Sequence, residues 1–445
     1  MNSAAELLEN VQSDPATSRA SDTLRVVVLS GLLAVLFLEP LAFGGVEAWA
    51  IFALEAFCVL LLGVWVTTQI LCGELRITWH PAFNPTLLFF GLVVIQVVFR
   101  QTAYRAATVS AFLLLCSYGL LTFLIVQGLQ RTWQVRAAAI AFGTYGTVIA
   151  MFAIVQSLTY NGKIYWFRSP AAGGWIYGPY VNHNHYAGLM EMLYPIPLVA
   201  CLSPRLNREQ RLLAGLASAI MASTIFLSGS RAGMLAFTAQ VVALVLFLFA
   251  RHSGKKALLA MVFLVLVGVL FVWLGGTQML DRIGTIRSET QTELSGGTRL
   301  TIDRDCLRMF LAKPISGWGL GSFREVYPRF RSFYTNMSVD QAHNDYLQAL
   351  VETGTCGLAL LLWFLVSVVS AAVKKLRKWP ADINAEVALA ALMGILGILV
   401  HSLFDFNLQI PANAAMFGVL CAIAAMQPIF GIHRLPHHGL QRRAA

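Results

Sequence analysis

The chain has 445 residues, of which 57% are hydrophobic and only 12% are charged, whereas an ordinary soluble domain has about 25% charged residues. This composition and a mean hydropathy of +0.67 exclude a water-soluble globule, so lipid must be the solvent for most of the chain. The net charge of +10 therefore does not indicate a nucleic-acid partner, because in a membrane protein the distribution of Lys and Arg among the loops reports orientation instead.

Twelve apolar segments are candidate transmembrane helices, since about 20 mostly apolar residues span a bilayer. Pro195 and Pro197 interrupt the sixth segment and are expected to kink it. The twelve segments are residues 25–43, 47–72, 82–99, 106–128, 136–158, 184–202, 212–229, 232–250, 257–275, 346–373, 386–404 and 411–430.

The spacing of these segments predicts an all-α polytopic membrane protein with a large, partly helical loop between the ninth and tenth spans. The first residues are polar and acidic and lack the basic start of a signal peptide, so we expect the first span to remain as an anchor. The seven cysteines include no Cys-x-x-Cys pair, which predicts neither a disulfide framework nor a zinc site. The predicted regions are an N-terminal tail (1–24), nine spans (25–275), the loop (276–345), three spans (346–430) and a C-terminal tail (431–445).

The positive-inside rule predicts that both termini are cytoplasmic, because most Lys and Arg of the short loops then lie inside. This orientation also places every unusual polar cluster on the outer face, although none of the clusters was used to choose it. Such convergence is what an active site at a membrane surface would require. The clusters are residues 182–188, 228–233, 296–299, 343–345 and 401–407.

The run around His343 is the strongest candidate for catalysis. A histidine can take up a proton near neutral pH, and the neighbouring Asn344 and Asp345 could fix its tautomer and orientation. The same residues could instead cap the helix that follows, with a side-chain oxygen accepting from N–H groups of its first turn. The run by itself does not decide between a general base and a cap.

Two arginines are candidate anion ligands. Arg231 lies between two strongly apolar segments in Ser-Gly-Ser-Arg-Ala-Gly, and a charge in that position is costly unless it is paired or in water. Arg299 begins a predicted amphipathic helix over 298–313, where a solvated helix start is as good an explanation as an anion contact.

Other polar residues belong at the margin of the predicted site. Asn182, His183 and His185 could bind sugar or could simply begin a helix, and His-x-His alone supplies only two ligands for a metal. His401 and Asp405 are four residues apart and share a helical face if the helix continues, for which packing is the default explanation.

Two guanidinium groups, a histidine and a membrane surface suit one kind of chemistry. Arginine binds phosphate oxygens in a bidentate fashion and remains charged. It can therefore stabilise a lipid pyrophosphate as it leaves, without a metal ion. A histidine then takes the proton of an incoming hydroxyl. The residues predict glycosyl transfer from a lipid pyrophosphate, with no cofactor.

Three motifs in this order resemble the O-antigen ligase and O-antigen polymerase family. They are Asn-His-Asn-His-Tyr-Ala-Gly, Ser-Gly-Ser-Arg-Ala-Gly, and Gly-Thr-Arg followed some forty residues later by Ala-His-Asn-Asp-Tyr-Leu-Gln. The resemblance is strongest over residues 140–415. It implies His343 as the base, Arg231 as a pyrophosphate ligand and Arg299 as a second one.

The resemblance further implies a metal-independent, inverting, GT-C-like enzyme of the bacterial inner membrane with its site in a periplasmic loop. Its donor would be a glycan on undecaprenyl pyrophosphate, and its acceptor either lipid A core, for a ligase, or a second lipid-linked glycan, for a polymerase of O-antigen or exopolysaccharide. The ligase is slightly favoured. A twelve-helix transporter or flippase is the alternative from another class; against it, the halves show no convincing repeat and the polar groups gather on one face instead of the midplane.

Overall fold

A computed structural model describes residues 15–73, 75–169, 175–273, 296–335 and 338–428. In these ranges the chain is helical and forms no strand, apart from two isolated bridges. The predicted C-terminal tail, most of the N-terminal tail and the first part of the predicted loop lie outside the described residues. The helices are α1 (Pro15–Leu41), α2 (Ala48–Cys72), α3 (Phe83–Val98), α4 (Arg105–Gly128), α5 (Thr132–Leu158), α6 (His183–Leu193), α7 (Pro195–Cys201), α8 (Arg208–Leu227), α9 (Arg231–Ala250), α10 (Gly254–Phe271), α11 (Gly296–Ala312), α12 (Phe323–Val326), α13 (Asp345–Leu376), α14 (Ile383–His401) and α15 (Pro411–Ala425).

The all-α polytopic membrane architecture predicted from the sequence is confirmed. Within the described ranges, nine helices are long and apolar enough to cross a membrane, and α3 and α15 are shorter apolar helices. The sixth predicted segment is divided into α6 and α7 at Tyr194, as expected from its prolines. The carbonyl of Tyr194 at this break accepts a hydrogen bond from Ser218 Oγ at 2.9 Å.

The centre of the bundle is α14, which packs against α6, α7, α9, α13 and α15. This helix is buried over most of its length, and small residues allow the close approach. At Gly394 a Cβ would lie 2.7 Å from the Met192 carbonyl. The central helix of the fold is therefore mostly shielded from lipid by the surrounding helices.

The chain runs back and forth between two ends of the bundle. At the end that we call the basic end, loops near residues 78, 130, 205, 251 and 378 come together. There the Glu386 carboxylate lies 2.7 Å from the Arg205 guanidinium and accepts from Ser203 Oγ at 2.9 Å. At the opposite end, which we call the site end, Ala412 donates its N–H to the Gly44 carbonyl at 3.1 Å, and Tyr180 donates its hydroxyl to Asn413 Oδ1 at 2.9 Å.

The described part of the long predicted loop forms a small hydrophobic core of its own beside α13. Glu352 of α13 holds this core in place, because its carboxylate accepts from the N–H groups of Gly321 at 2.8 Å and Phe323 at 3.2 Å. Gly317 has a φ of +66°, and a Cβ there would lie 2.4 Å from the Glu352 backbone. Glycine is therefore required at position 317, because the two backbone segments approach closely there. The core consists of Ile302, Cys306, Met309, Phe323, Val326, Tyr327, Val339, Ala342 and Val351.

Candidate active site

His343 lies at the site end, two residues before α13. Its φ is +54°, a left-handed conformation that is uncommon for residues other than glycine. Asn344 is the N-cap of α13, and its side-chain oxygen accepts from the N–H groups of Tyr346 and Leu347 at 3.1 and 3.2 Å. Asn344 therefore caps the helix, as one interpretation of this run predicted, while the role of His343 as a general base stays a prediction.

Asp405 faces the imidazole of His343. Its Oδ1 lies 3.4 Å from His343 Nδ1, close enough for a charge interaction and slightly long for a good hydrogen bond. Burial would raise the pKa of Asp405, but His343, His185 and Arg299 outweigh burial and hold that pKa well below its usual range. Asp405 therefore remains a carboxylate, and its charge beside Nδ1 favours the His343 tautomer that carries the proton there and leaves Nε2 able to accept one.

Phe406 separates two histidines. Its ring is edge-to-face with His343 and with His185, at centroid distances of 4.8 Å in both cases. The His185 side chain is buried, and its Nε2 has no hydrogen-bond partner in the part of the chain that the structure describes. His185, which was predicted at the margin of the site, therefore lies near the predicted base His343, with the Phe406 ring between them.

Arg299 approaches the same place from α11. One guanidinium nitrogen donates to the Phe404 carbonyl at 2.9 Å, while Nε is buried without a partner among the described residues. Burial raises the pKa of the neighbouring Asp303, and His343 and Arg299 oppose that rise. Arg299 is therefore fixed by a backbone carbonyl and retains donor capacity for an anion.

Arg231 is the first residue of α9. Ser230 caps this helix by accepting from the Gly233 N–H at 3.1 Å, and the Arg231 side chain is exposed. Within the described ranges no acidic side chain pairs with it. A guanidinium at a helix N-terminus, where backbone N–H groups and the helix dipole also favour negative charge, is a suitable ligand for an anion.

His401 and Glu191 form a buried pair behind these residues. His401 Nδ1 lies 2.8 Å from Glu191 Oε1, and both side chains are fully buried. His401 was predicted at the margin of the site, whereas Glu191 was not among the predicted site residues. An acidic residue in a run of apolar residues was the available signal for a partner of this kind.

The remaining predicted margin residues have structural contacts. Asp345 Oδ2 accepts from Ser402 Oγ at 2.7 Å and from the Leu408 N–H at 3.0 Å, which fixes the segment after α14 to the start of α13. Asn182 caps α6 by accepting from the Asn184 N–H at 2.8 Å. His183 stacks on Trp175 at a centroid distance of 4.8 Å.

The described residues include no group of three or more His, Cys, Asp or Glu side chains arranged to hold a metal ion. The described residues place a histidine beside a carboxylate and near Arg299, and Arg231 begins α9 at the same end of the bundle. Such a constellation can take a proton from a hydroxyl and stabilise an anion. This chemistry defines the molecule as a membrane protein with a candidate transferase site at one end of its bundle.

The central segment of the chain is similar to a known protein family. Residues 216–362 match the family model described as O-antigen ligase, which confirms over this segment the resemblance that the motifs carry. The match includes Arg231, Arg299 and His343, and it ends before Asp405. The family supports a membrane glycosyltransferase of the ligase or polymerase kind. An uncharacterised protein of Haemophilus influenzae is 23% identical over 273 residues, covering 58% of this chain and 67% of that protein.

Proposed function

We propose that the protein is an inverting, metal-independent glycosyltransferase that moves a glycan from undecaprenyl pyrophosphate to a sugar hydroxyl at the periplasmic face of the inner membrane. The observation that carries the proposal is the contact between His343 and the Asp405 carboxylate, 3.4 Å apart, beside an Arg299 whose Nε is unpartnered among the described residues. A base oriented by a carboxylate next to a cation suits a reaction that takes up a proton and releases an anion.

In the proposed reaction, His343 Nε2 accepts the proton of the acceptor hydroxyl. The hydroxyl oxygen forms a bond to the anomeric carbon as the bond from that carbon to the pyrophosphate oxygen breaks on the opposite face, which inverts the configuration. Asp405 stabilises the imidazolium that results. The proton is afterwards released to solvent, because the His343 side chain is 18% exposed.

The departing lipid pyrophosphate gains negative charge, and Arg231 and Arg299 are proposed to neutralise it. The two residues differ in their surroundings: Arg299 donates to the Phe404 carbonyl, whereas the Arg231 side chain is exposed. In the proposal, each guanidinium donates to phosphate oxygens of the departing group.

The acceptor is proposed to be lipid A core, which makes the protein an O-antigen ligase. The polymerase of O-antigen or exopolysaccharide uses the same donor head group and is the second candidate. Trp175, stacked on His183, offers an aromatic face near the site that suits either acceptor sugar, so this feature favours neither.

The test uses purified protein in detergent with a defined glycan on a lipid pyrophosphate. Lipid A core and a second lipid-linked repeat are offered separately, with a chelator of divalent metals throughout, and products are resolved by gel electrophoresis and mass spectrometry. Product on lipid A core is expected. A ladder on the lipid carrier instead would establish the polymerase, and transfer that requires added metal would contradict the metal-independent mechanism.

A transporter would give no product with either acceptor. In that case the discriminating observation is slow hydrolysis of the donor to free lipid pyrophosphate. Hydrolysis that disappears in a His343→Asn variant would indicate a transferase offered the wrong acceptor, whereas its absence in both proteins would overturn the enzymatic proposal.

A further inference from the structure

A buried pair of ionisable side chains lies behind the proposed active site. Glu191 and His401 are both inaccessible to solvent, with 2.8 Å between Oε1 and Nδ1. Glu191 Oε2 and His401 Nε2 have no hydrogen-bond partner within the described ranges. Ionisable groups are costly to bury in a transmembrane bundle and usually have a function there. The reaction proposed above gives no role to Glu191 or His401.

The pair lies where three helices meet. Glu191 belongs to α6 and His401 is the last residue of α14. The third helix is α9, which approaches at Gly233, where a Cβ would be only 3.0 Å from Glu191 Oε1 and 3.0 Å from Ala187 Cβ. The glycine in the Arg-Ala-Gly motif is thus explained by the carboxylate that packs against it.

Each of the three helices carries a different part of the site. The chain that follows His401 presents the Phe404 carbonyl to Arg299 and Asp405 to His343. The start of α9 carries Arg231, two residues before Gly233. The first turn of α6 carries His185, whose ring meets Phe406.

A second polar contact joins the same three helices deeper in the bundle. Gln240 of α9 donates through Nε2 to the Glu191 carbonyl at 2.8 Å and to the Met393 carbonyl of α14 at 2.7 Å. Gln240 therefore holds the three helices together at this depth without the help of Glu191 and His401. The contact between Glu191 and His401 lies nearer the site end than Gln240, and it is the contact that bears on the spacing of the site residues.

We propose that Glu191 and His401 are positioning residues that set the distance between Arg231 on α9 and the His343, Asp405 and Arg299 group held by the end of α14. The proposal rests on the glycosyl-transfer function proposed above. Its physical basis is that a directional contact between fully buried groups resists displacement, while an error of about 1 Å in a reacting geometry costs about 100-fold in rate.

The test measures kcat, donor KM and thermal unfolding for Glu191→Gln, His401→Gln, the double variant and Glu191→Leu. We expect kcat to fall about 10- to 100-fold in the two single Gln variants, with a change in donor KM of less than about threefold because both arginines remain. The double variant should be no worse than the poorer single variant, since both remove one interaction. Glu191→Leu should be more impaired than Glu191→Gln, because an amide oxygen accepts from His401 Nδ1–H only about half as strongly as a carboxylate does, whereas leucine does not accept at all.

The matched control is Glu386→Gln, at the opposite end of α14 from His401. Glu386 is a buried carboxylate bonded to Ser203 and Arg205, and it touches no part of the proposed site. Glu386→Gln should lower the unfolding temperature about as much as Glu191→Gln does, while its kcat stays within about twofold of the wild-type value. Gly233→Ala is a further variant, in which the added methyl group crowds Glu191 without removing a charge; kcat should fall about threefold or more.

The outcomes separate the two proposals. If Glu191→Gln, His401→Gln and Gly233→Ala transfer like the wild type while His343→Asn is inactive, the positioning role is wrong and the enzymatic function stands. Equal loss of kcat in Glu386→Gln and Glu191→Gln would show that the pair acts only on stability, which also overturns it. Full transfer by His343→Asn would remove the proposed function itself.

Discussion

The two ends of the bundle treat buried charge differently. At the basic end the Glu386 carboxylate meets both a guanidinium and a hydroxyl, as is usual for buried polar groups. At the site end Glu191, Asp345 and Asp405 are also buried, but among the described residues no arginine or lysine forms an ion pair with any of them, and Glu191 and Asp405 face histidines instead. The bundle thus gives the buried carboxylate at the basic end a permanent cation, whereas two of those at the site end meet a side chain that can gain or lose a proton.

The largest decrease in the rate of transfer is expected when the proposed base at the site end is removed. His343→Asn should reduce transfer by about 10²- to 10⁴-fold, the usual contribution of a general base. Asparagine is the suitable replacement because it tolerates the positive φ of this position better than alanine does. The measurement is the initial rate with saturating donor and acceptor, and a thermal unfolding curve like that of the wild type is the control for folding.

The next effect contrasts an arginine from each end. Arg231→Lys should reduce transfer by about 10- to 100-fold, since lysine keeps the charge but loses the forked donors that match a phosphate. Arg205→Lys at the basic end keeps a cation beside Glu386 and should leave the rate within about twofold. Equal rates in the two variants would contradict the role of Arg231 as a pyrophosphate ligand.

Removing the carboxylate that orients the base should have a smaller effect. Asp405→Asn should reduce transfer by about 10-fold or more, because the tautomer of His343 is then no longer fixed. The same variant tests the lowered pKa of Asp405. A depressed pKa stabilises the fold above the ordinary Asp value of about 4, and this contribution is lost as the pH falls below it.

The difference in unfolding temperature between the wild type and Asp405→Asn should therefore be largest above about pH 4 and should shrink in more acidic buffer. Thermal unfolding across a pH series measures this difference. A difference that grows on acidification would mean that the pKa of Asp405 is raised in the folded protein, and the proposed orienting charge would be absent.

The smallest effect on transfer is expected from two cysteine substitutions that serve as labelling sites. They test which end of the bundle faces the periplasm and which faces the cytoplasm. In a cysteine-free background, Tyr334→Cys and Arg377→Cys introduce thiols at exposed positions of the described chain, near the site end and at the basic end. A membrane-impermeant maleimide should label Tyr334→Cys in intact spheroplasts and Arg377→Cys only after permeabilisation. The reverse pattern would place the site in the cytoplasm and contradict the predicted orientation.

Much of the membrane architecture could be predicted from the sequence because lipid imposes a simple requirement. A span must hide its backbone polar groups within a long apolar helix, so the segments at 106–128 and 232–250 were recognisable from their residues and coincide with α4 and α9. The broken sixth segment was also foreseeable, since its prolines cannot continue a regular helix. His343, Arg231 and Arg299 were predicted as site residues because polar motifs are conspicuous between apolar runs, and their roles stay predictions.

The contacts within the site were decided by the tertiary structure. Glu191 and His401 are 210 positions apart in the chain, and no local pattern can pair them, because their distance depends on how α6 and α14 pack. The same holds for Phe406 between two histidines and for the carbonyl of Phe404 that holds Arg299. Apolar segments and candidate site residues could be predicted from the sequence, since both depend on local composition. The tertiary structure alone decided which of those residues meet, because close packing of the helices brings together positions that are remote in the chain.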